Sequence, residues 1–219
     1  MRSQIIYAGP AGGLTARIVL LPGAYHALEQ FVDAGFDRAL RDRGLAAELI
    51  VAAPELAHLN DRAWLTQLRR EVIAPARERG AGALWLGGIS LGAFMALRFA
   101  AEGAEALDGL CLLAPYLGSR IVAAEIAAQG TLANWRAERL GEDDDERRIW
   151  KFIQGLGTAA APRVFLGFGS EDRFADSQRL LASALPAGST HVVPGGHDWP
   201  VWRRLWDQFL DLLSEGRPA

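Results

Sequence analysis

The chain has 219 residues, half of them apolar, with 26 acidic and 23 basic side chains and a net charge of −3. That length fits one domain of the larger kind, roughly 200–250 residues, and the balanced charge leaves no basic stripe for nucleic acid and no cationic amphipathic helix for a membrane surface. A single cysteine, Cys111, excludes an internal disulfide and fits a reducing, cytoplasmic compartment. The N-terminal residues lack the pattern of a signal peptide, and no apolar run is long enough to span a bilayer.

Short β-rich runs alternate with longer helical ones, the pattern of a mostly parallel sheet covered by helices on both faces, an α/β fold. Residues 4–8 and 16–21 read as strands, the second closed by Pro22-Gly23. A helix is expected over about 28–43, ended by Gly44, and a strand over 47–53, stopped by Pro54. Asn60-Asp61 is placed to cap the next helix, where Trp64, Leu68 and Val72 recur every four residues and share one face. The run 83–89 reads as a strand leading into a helix over 91–101, and 110–114 as a strand ending at Pro115. About fifty residues separate that strand from the next, at 164–168. Their helical stretch, roughly 121–156, reads as a small lid (117–158) over the carboxyl edge of the sheet. Its apolar residues, among them Ile121, Ile126, Trp135 and Trp150, either roof a pocket or form the lid's own core. A helix over 175–185 and a strand over 191–193 follow. In the final helix Trp199, Trp202, Trp206, Phe209 and Leu213 recur every three or four residues, the spacing of core anchors. No repeat or linker divides residues 1–219.

Gly88-Ile89-Ser90-Leu91-Gly92 lies at the junction of a predicted strand and a predicted helix. In that context G-x-S-x-G describes a nucleophile elbow, a turn too tight for side chains at its flanks, which leaves the serine hydroxyl clear of the backbone. A serine hydroxyl is a poor nucleophile until a base takes its proton. Of the four histidines, His191 falls inside a predicted strand, whereas His26 and His58 follow strands and can line a pocket. His197, in Pro194-Gly195-Gly196-His197-Asp198-Trp199, comes after the last strand, where paired glycines permit an irregular loop. The third partner must be a carboxylate that fixes the imidazole tautomer. Asp172, after the strand 164–168, is the leading candidate. Its neighbours Glu171 and Asp176 and the run Glu142-Asp143-Asp144-Asp145-Glu146 are alternatives that read more simply as solvated or capping acids. Asp198 has the position of a helix N-cap, with Pro200 behind it.

Acyl transfer also needs two N–H groups aimed at the developing oxyanion. The amide of Leu91, next after Ser90, is one candidate. The loop Pro22-Gly23-Ala24-Tyr25-His26 offers the other, at Ala24 or Tyr25. Gly9-Pro10-Ala11-Gly12-Gly13 lacks the lysine of a phosphate loop, no cysteine–histidine spacing suggests a metal, and Cys111 sits in an apolar strand as core.

With Ser90, Asp172 and His197 in that order, the chain resembles the α/β-hydrolase superfamily over nearly its whole length. The segments Gly87-Gly88-Ile89-Ser90-Leu91-Gly92 and Gly195-Gly196-His197-Asp198-Trp199 are most similar to those of short bacterial esterases of the esterase-D-like kind. The chain departs from the His-Gly-Gly-Gly oxyanion motif of lipases, having Pro22-Gly23-Ala24-Tyr25 instead. The resemblance implies a cofactor-independent serine hydrolase acting on a small-molecule ester through an acyl-enzyme. A thioesterase or acyltransferase on the same three residues is the alternative, and a non-catalytic binding protein on the same fold a more distant one.

Overall fold

The computed structural model describes residues 1–10, 13–54, 62–80, 82–103, 106–137, 140–141 and 143–215. Seven strands, β1 (Arg2–Ala8), β2 (Ala16–Leu21), β3 (Ala47–Ala53), β4 (Ala83–Ile89), β5 (Gly109–Leu113), β6 (Arg163–Gly169) and β7 (Thr190–Val193), form one sheet in the order β1-β3-β2-β4-β5-β6-β7. All neighbours run parallel except β1, which pairs antiparallel with β3 at the edge. Strands buried on both faces are mostly apolar, as in Ala16–Leu21, where every residue is buried and Arg17 alone is charged.

Alternate side chains feed two cores. Val19 and Leu21 join one, and Ile18 and Leu20 the other. The second core is covered by α1 (Glu29–Asp33), α2 (Phe36–Asp42) and α9 (Trp199–Ser214). The first is covered by α3 (Ala63–Leu68), α4 (Ala74–Glu78), α5 (Leu91–Ala101), α6 (Arg120–Ala128), α7 (Asp145–Ile153) and α8 (Ala175–Ala182).

The helix expected over 28–43 is two helices. Gly35, at φ 76°, takes a left-handed conformation between α1 and α2. The turn lets Phe31 and Phe36 both point inward, edge to face at 5.2 Å, and Phe36 stacks on Trp206, whose indole N–H donates to the Phe36 carbonyl at 3.0 Å. Between α3 and α4 the chain forms a π-helical turn, Arg69–Ile73, just before Pro75, which has no N–H to donate. Trp64, Leu68 and Val72 are all buried despite it. The expected cap at Asn60-Asp61 lies outside the described residues.

The segment between β5 and β6 carries α6 and α7. Ile126, Leu132, Trp135, Ile149 and Trp150 are buried in the same core as Met95 and Phe99 of α5, while Ile121 is exposed. Arg98 of α5, almost wholly buried, pairs with Glu102 and with Asp145 at the start of α7. The acidic run is therefore more than a solvated helix start. Asp144 caps α7 by accepting from the Arg147 N–H at 3.1 Å, and Glu146 accepts from the Ser119 N–H and hydroxyl, each at 2.8 Å. Glu142 lies outside the described residues.

Strand order also fixes where a ligand belongs. The chain leaves β2 toward β3 on one side and leaves β4 toward β5 on the other, so a crevice opens at the carboxyl ends of β2 and β4. The burial of Trp150 leads to the first prediction. Trp150→Ala should cost about 3–5 kcal/mol, and urea unfolding followed by circular dichroism and by fluorescence should remain a single coincident transition, because the segment shares its core with the sheet.

Candidate active site

Ser90 stands at the end of β4, in the crevice, with φ 53° and ψ −112°. Such a conformation costs of order 1–3 kcal/mol for a non-glycine residue and persists only where the surroundings enforce it. Here the enforcement is visible: the Ser90 N–H donates to Leu113 O at 2.9 Å, and Ser90 O accepts from Ala93, Phe94 and Tyr116. The flanking glycines have no room for side chains. A β-carbon at Gly88 would lie 2.5 Å from the Leu21 carbonyl oxygen and from the Gly92 backbone. At Gly92 it would overlap the Leu21 carbonyl and lie 2.7 Å from that of Pro22. Two further left-handed non-glycine residues, Tyr25 and Ala114, follow the neighbouring strands β2 and β5.

Asp172 and His197 come from the turns after β6 and β7, 25 residues apart, and are held together by backbone. The Ser170 N–H donates to Val193 O at 2.8 Å and the Glu171 N–H to Gly195 O at 2.9 Å. Gly169 faces the Gly195 and Gly196 carbonyls so closely that no β-carbon fits, and Gly195, at φ 120°, adopts a conformation open to glycine. Asp198 caps α9 by accepting from the Val201 N–H at 3.1 Å, which anchors the far end of the loop.

The three side chains meet. Asp172 Oδ2 lies 2.7 Å from His197 Nδ1, and His197 Nε2 lies 2.9 Å from Ser90 Oγ. A carboxylate only accepts, so Nδ1 carries the imidazole proton and Nε2 is the acceptor for the serine hydroxyl. The Asp172 side chain is shut off from solvent. Burial pushes its pKa up, but hydrogen bonds from His197 and from the Phe174 N–H, with a further one from Gln178, outweigh burial and hold it below the ordinary carboxylate range.

The other candidates fall elsewhere. His191 stacks on Phe165 in the core at 4.5 Å. Glu171 is exposed, and Asp176 pairs with Arg179. His58 lies outside the described residues. His26 is near the site: its ring meets Trp199 and Trp202, and Trp202 meets His197 edge-on at 5.2 Å. Burial, followed by the proximity of His197, pulls its pKa down, which keeps it neutral at pH 7. Leu91 opens α5, and its N–H donates to no backbone acceptor among the described residues. The loop bearing Ala24 and Tyr25 rests on the elbow, since a β-carbon at Gly23 would come within 3.3 Å of the Ile89 carbonyl. Tyr25 projects into solvent, 92% exposed.

Sequence reasoning missed the residues that frame the triad. Phe174 packs edge-on to His197 at 5.1 Å and to Tyr116 at 5.4 Å, and Tyr116 leans on Phe94 at 5.7 Å. Gln178, fully buried, donates to Pro115 O at 3.2 Å as well as supporting Asp172. A cavity of about 760 Å³ opens beside Leu91 and Phe94 and is walled on its other side by Asp143–Arg147 of the β5–β6 segment. Among the described residues no helix is long and apolar enough to cross a membrane.

The direction of the Asp172 shift gives a pH prediction. A carboxylate held below its unfolded pKa stabilises the fold above that value, about 3.9, and the contribution is lost as pH falls through the lower, folded value. Asp172→Asn should therefore destabilise the protein most at neutral pH, and the gap from wild type should close below about pH 4, as read from urea midpoints across pH 3–8.

No protein-family model and no curated protein matches the sequence. Solved structures do. The fluorophosphonate-binding serine hydrolase FphF of Staphylococcus aureus superposes with a TM-score of 0.67 at 12% identity, covering 97% of this chain and 91% of that one. Est1E of Butyrivibrio proteoclasticus gives 0.66 at 15%, covering 98% and 94%. The S-formylglutathione hydrolase FrmB of S. aureus gives 0.62 at 12%, covering 92% and 82%. At these identities the likeness is one of architecture, and the chain has the α/β-hydrolase fold.

Proposed function

We propose that this chain is a serine carboxylesterase that cleaves a small-molecule ester through an acyl-enzyme. The observation that carries the reading is the continuous path Asp172–His197–Ser90, at 2.7 and 2.9 Å, ending on a serine in a left-handed conformation. His197 Nε2 takes the Ser90 proton as Oγ attacks the carbonyl carbon, and Asp172 stabilises the imidazolium that results. The negative oxygen of the tetrahedral intermediate is held by the Leu91 N–H together with that of Ala24 or Tyr25, each donor lowering the barrier by about 3–4 kcal/mol. His197 then returns its proton to the departing alcohol. Water, deprotonated by the same nitrogen, attacks the acyl-enzyme and releases the acid. No step calls on a metal or cofactor.

The names of the structural neighbours, serine hydrolase and esterase among them, support the same chemistry. The β5–β6 segment serves as the lid, walling the cavity beside Leu91 in which one arm of the substrate lies. A free, buried Cys111 suits work in the cytoplasm.

The test is labelling by a fluorophosphonate probe together with turnover of p-nitrophenyl esters from acetyl to decanoyl. Wild type should be labelled and active. Ser90→Ala should lose labelling and about a millionfold in kcat, and Asp172→Asn about ten-thousandfold, with the fold intact by circular dichroism. Labelling that persists in Ser90→Ala would overturn the assignment.

A further inference from the structure

A second cavity, about 490 Å³, is lined by Ser119, Arg120, Arg173, Phe174, Asp176 and Ser177 among others. It is one aromatic ring away from the catalytic histidine, since Phe174 touches His197 at 5.1 Å. Several surface arginines of the described chain are matched by carboxylates, as Arg43 is with Asp207 and Asp211, and Arg147 with Asp144 and Glu125. Arg120 and Arg173 are both exposed, and neither has a carboxylate partner among the described residues. Arg173 instead lies over the Phe174 ring, 4.9 Å from its centroid, and that ring packs against His197. The acids nearby are already engaged: Asp176 is paired with Arg179, and Glu146, behind Ser119, accepts two hydrogen bonds from that residue. The lining of the groove thus holds two arginines without a carboxylate partner among the described residues, Phe174, and Asp176, whose partner is Arg179.

From this we infer that the substrate carries an anionic group, a carboxylate in the first instance, on one of its arms, and that Arg120 and Arg173 grip it while the ester carbonyl lies over Ser90. The inference rests on the esterase reading above and adds the substrate class to it. Guanidinium forks match carboxylates in shape and charge, and their exposure makes the attraction sensitive to salt. The two arms of an ester leave two sources for the charge, the acyl part or the alcohol part, and the probes separate them.

The experiment compares kcat/KM for two matched pairs: p-nitrophenyl hemiglutarate against p-nitrophenyl valerate, with the charge on the acyl arm, and 4-acetoxybenzoate against phenyl acetate, with the charge on the alcohol arm. In one pair the charged member should be favoured. That charged-to-neutral ratio should fall about tenfold in Arg120→Ala and in Arg173→Ala, the loss expected of one charge-assisted hydrogen bond. It should fall further in Arg120→Glu, and it should shrink as salt is raised from 20 to 500 mM. Ratios in both pairs that are unmoved by these substitutions would overturn the inference while leaving the esterase reading standing. Were no ester turned over and Ser90 not labelled, the esterase reading would fail by itself. The groove would still be tested by NMR titration with glutarate and 4-hydroxybenzoate. Binding by wild type that is lost in the double alanine variant sustains the anion site, and no binding of either compound by wild type rejects it.

Discussion

The site depends on a close approach of backbone to backbone. Where β2 ends, the carbonyls of Leu21 and Pro22 press against the first turn of α5, so closely that Gly92 admits no β-carbon and Gly88, one strand residue before the elbow, admits none either. Everything else about the conformation of Ser90 follows from that contact. It forces the strand to turn into a helix within a single residue, which puts Ser90 at positive φ and lifts its hydroxyl out of the chain. It also seats the loop of Ala24 and Tyr25 on the elbow, where a β-carbon at Gly23 would come within 3.3 Å of the Ile89 carbonyl. A helix start leaves its first N–H groups without intrahelical partners, and the Leu91 N–H donates to no backbone acceptor among the described residues, which under the proposed mechanism leaves it free to meet the oxyanion.

The sheet provides the second half of the geometry by extending its ladder past the strand ends. Bonds from Ser90 N to Leu113 O, Ala114 N to Gly167 O, Ser170 N to Val193 O and Glu171 N to Gly195 O continue the pairing of β4, β5, β6 and β7 into the loops. The side chains of Ser90, Asp172 and His197, which follow three separate strands, are therefore fixed in register by backbone hydrogen bonds as well as by their own contacts. Left-handed conformations at Tyr25, Ser90 and Ala114, each following a different strand at this edge, mark where the ladder bends to make room.

This explains what the sequence disclosed and what it withheld. Ser90, Asp172 and His197 were legible because each follows a recognisable strand and because glycines mark two of the turns; Gly88, Gly92 and Gly195 are local signals of a local constraint. The strands themselves were legible from apolar runs. Phe174 and Gln178 carried no such signal. Gln178 is one polar residue on a helix, and it matters only because folding brings it to Asp172 and to Pro115, 63 residues earlier. The same holds for Asp145 and Glu146, whose partners Arg98 and Ser119 lie 47 and 27 residues away and which read in sequence as solvated acids. Gly35 was visible, but its left-handed turn inside an apolar helical pattern answers to the packing of Phe31 and Phe36 against α9, a demand that periodicity along one segment does not express.

The division of labour around Phe174 links the catalytic geometry to selectivity. Its backbone N–H donates to Asp172 Oδ1 at 2.8 Å, its ring braces His197, and its other neighbours, Arg173 and Ser177, open onto the charged groove. A group bound in that groove would bear on the same residue that touches both Asp172 and His197. Binding at a distance from the scissile bond would then improve the placement of the reacting groups, which raises kcat, whereas affinity with no such connection would only lower KM. The aromatic chain Phe94–Tyr116–Phe174, with Phe94 lining the larger cavity and Phe174 the smaller one, would give such coupling a path of packed rings. Under the proposed mechanism, the cavity beside Leu91 and Phe94 and the one lined by Phe174 would take the two arms of one substrate.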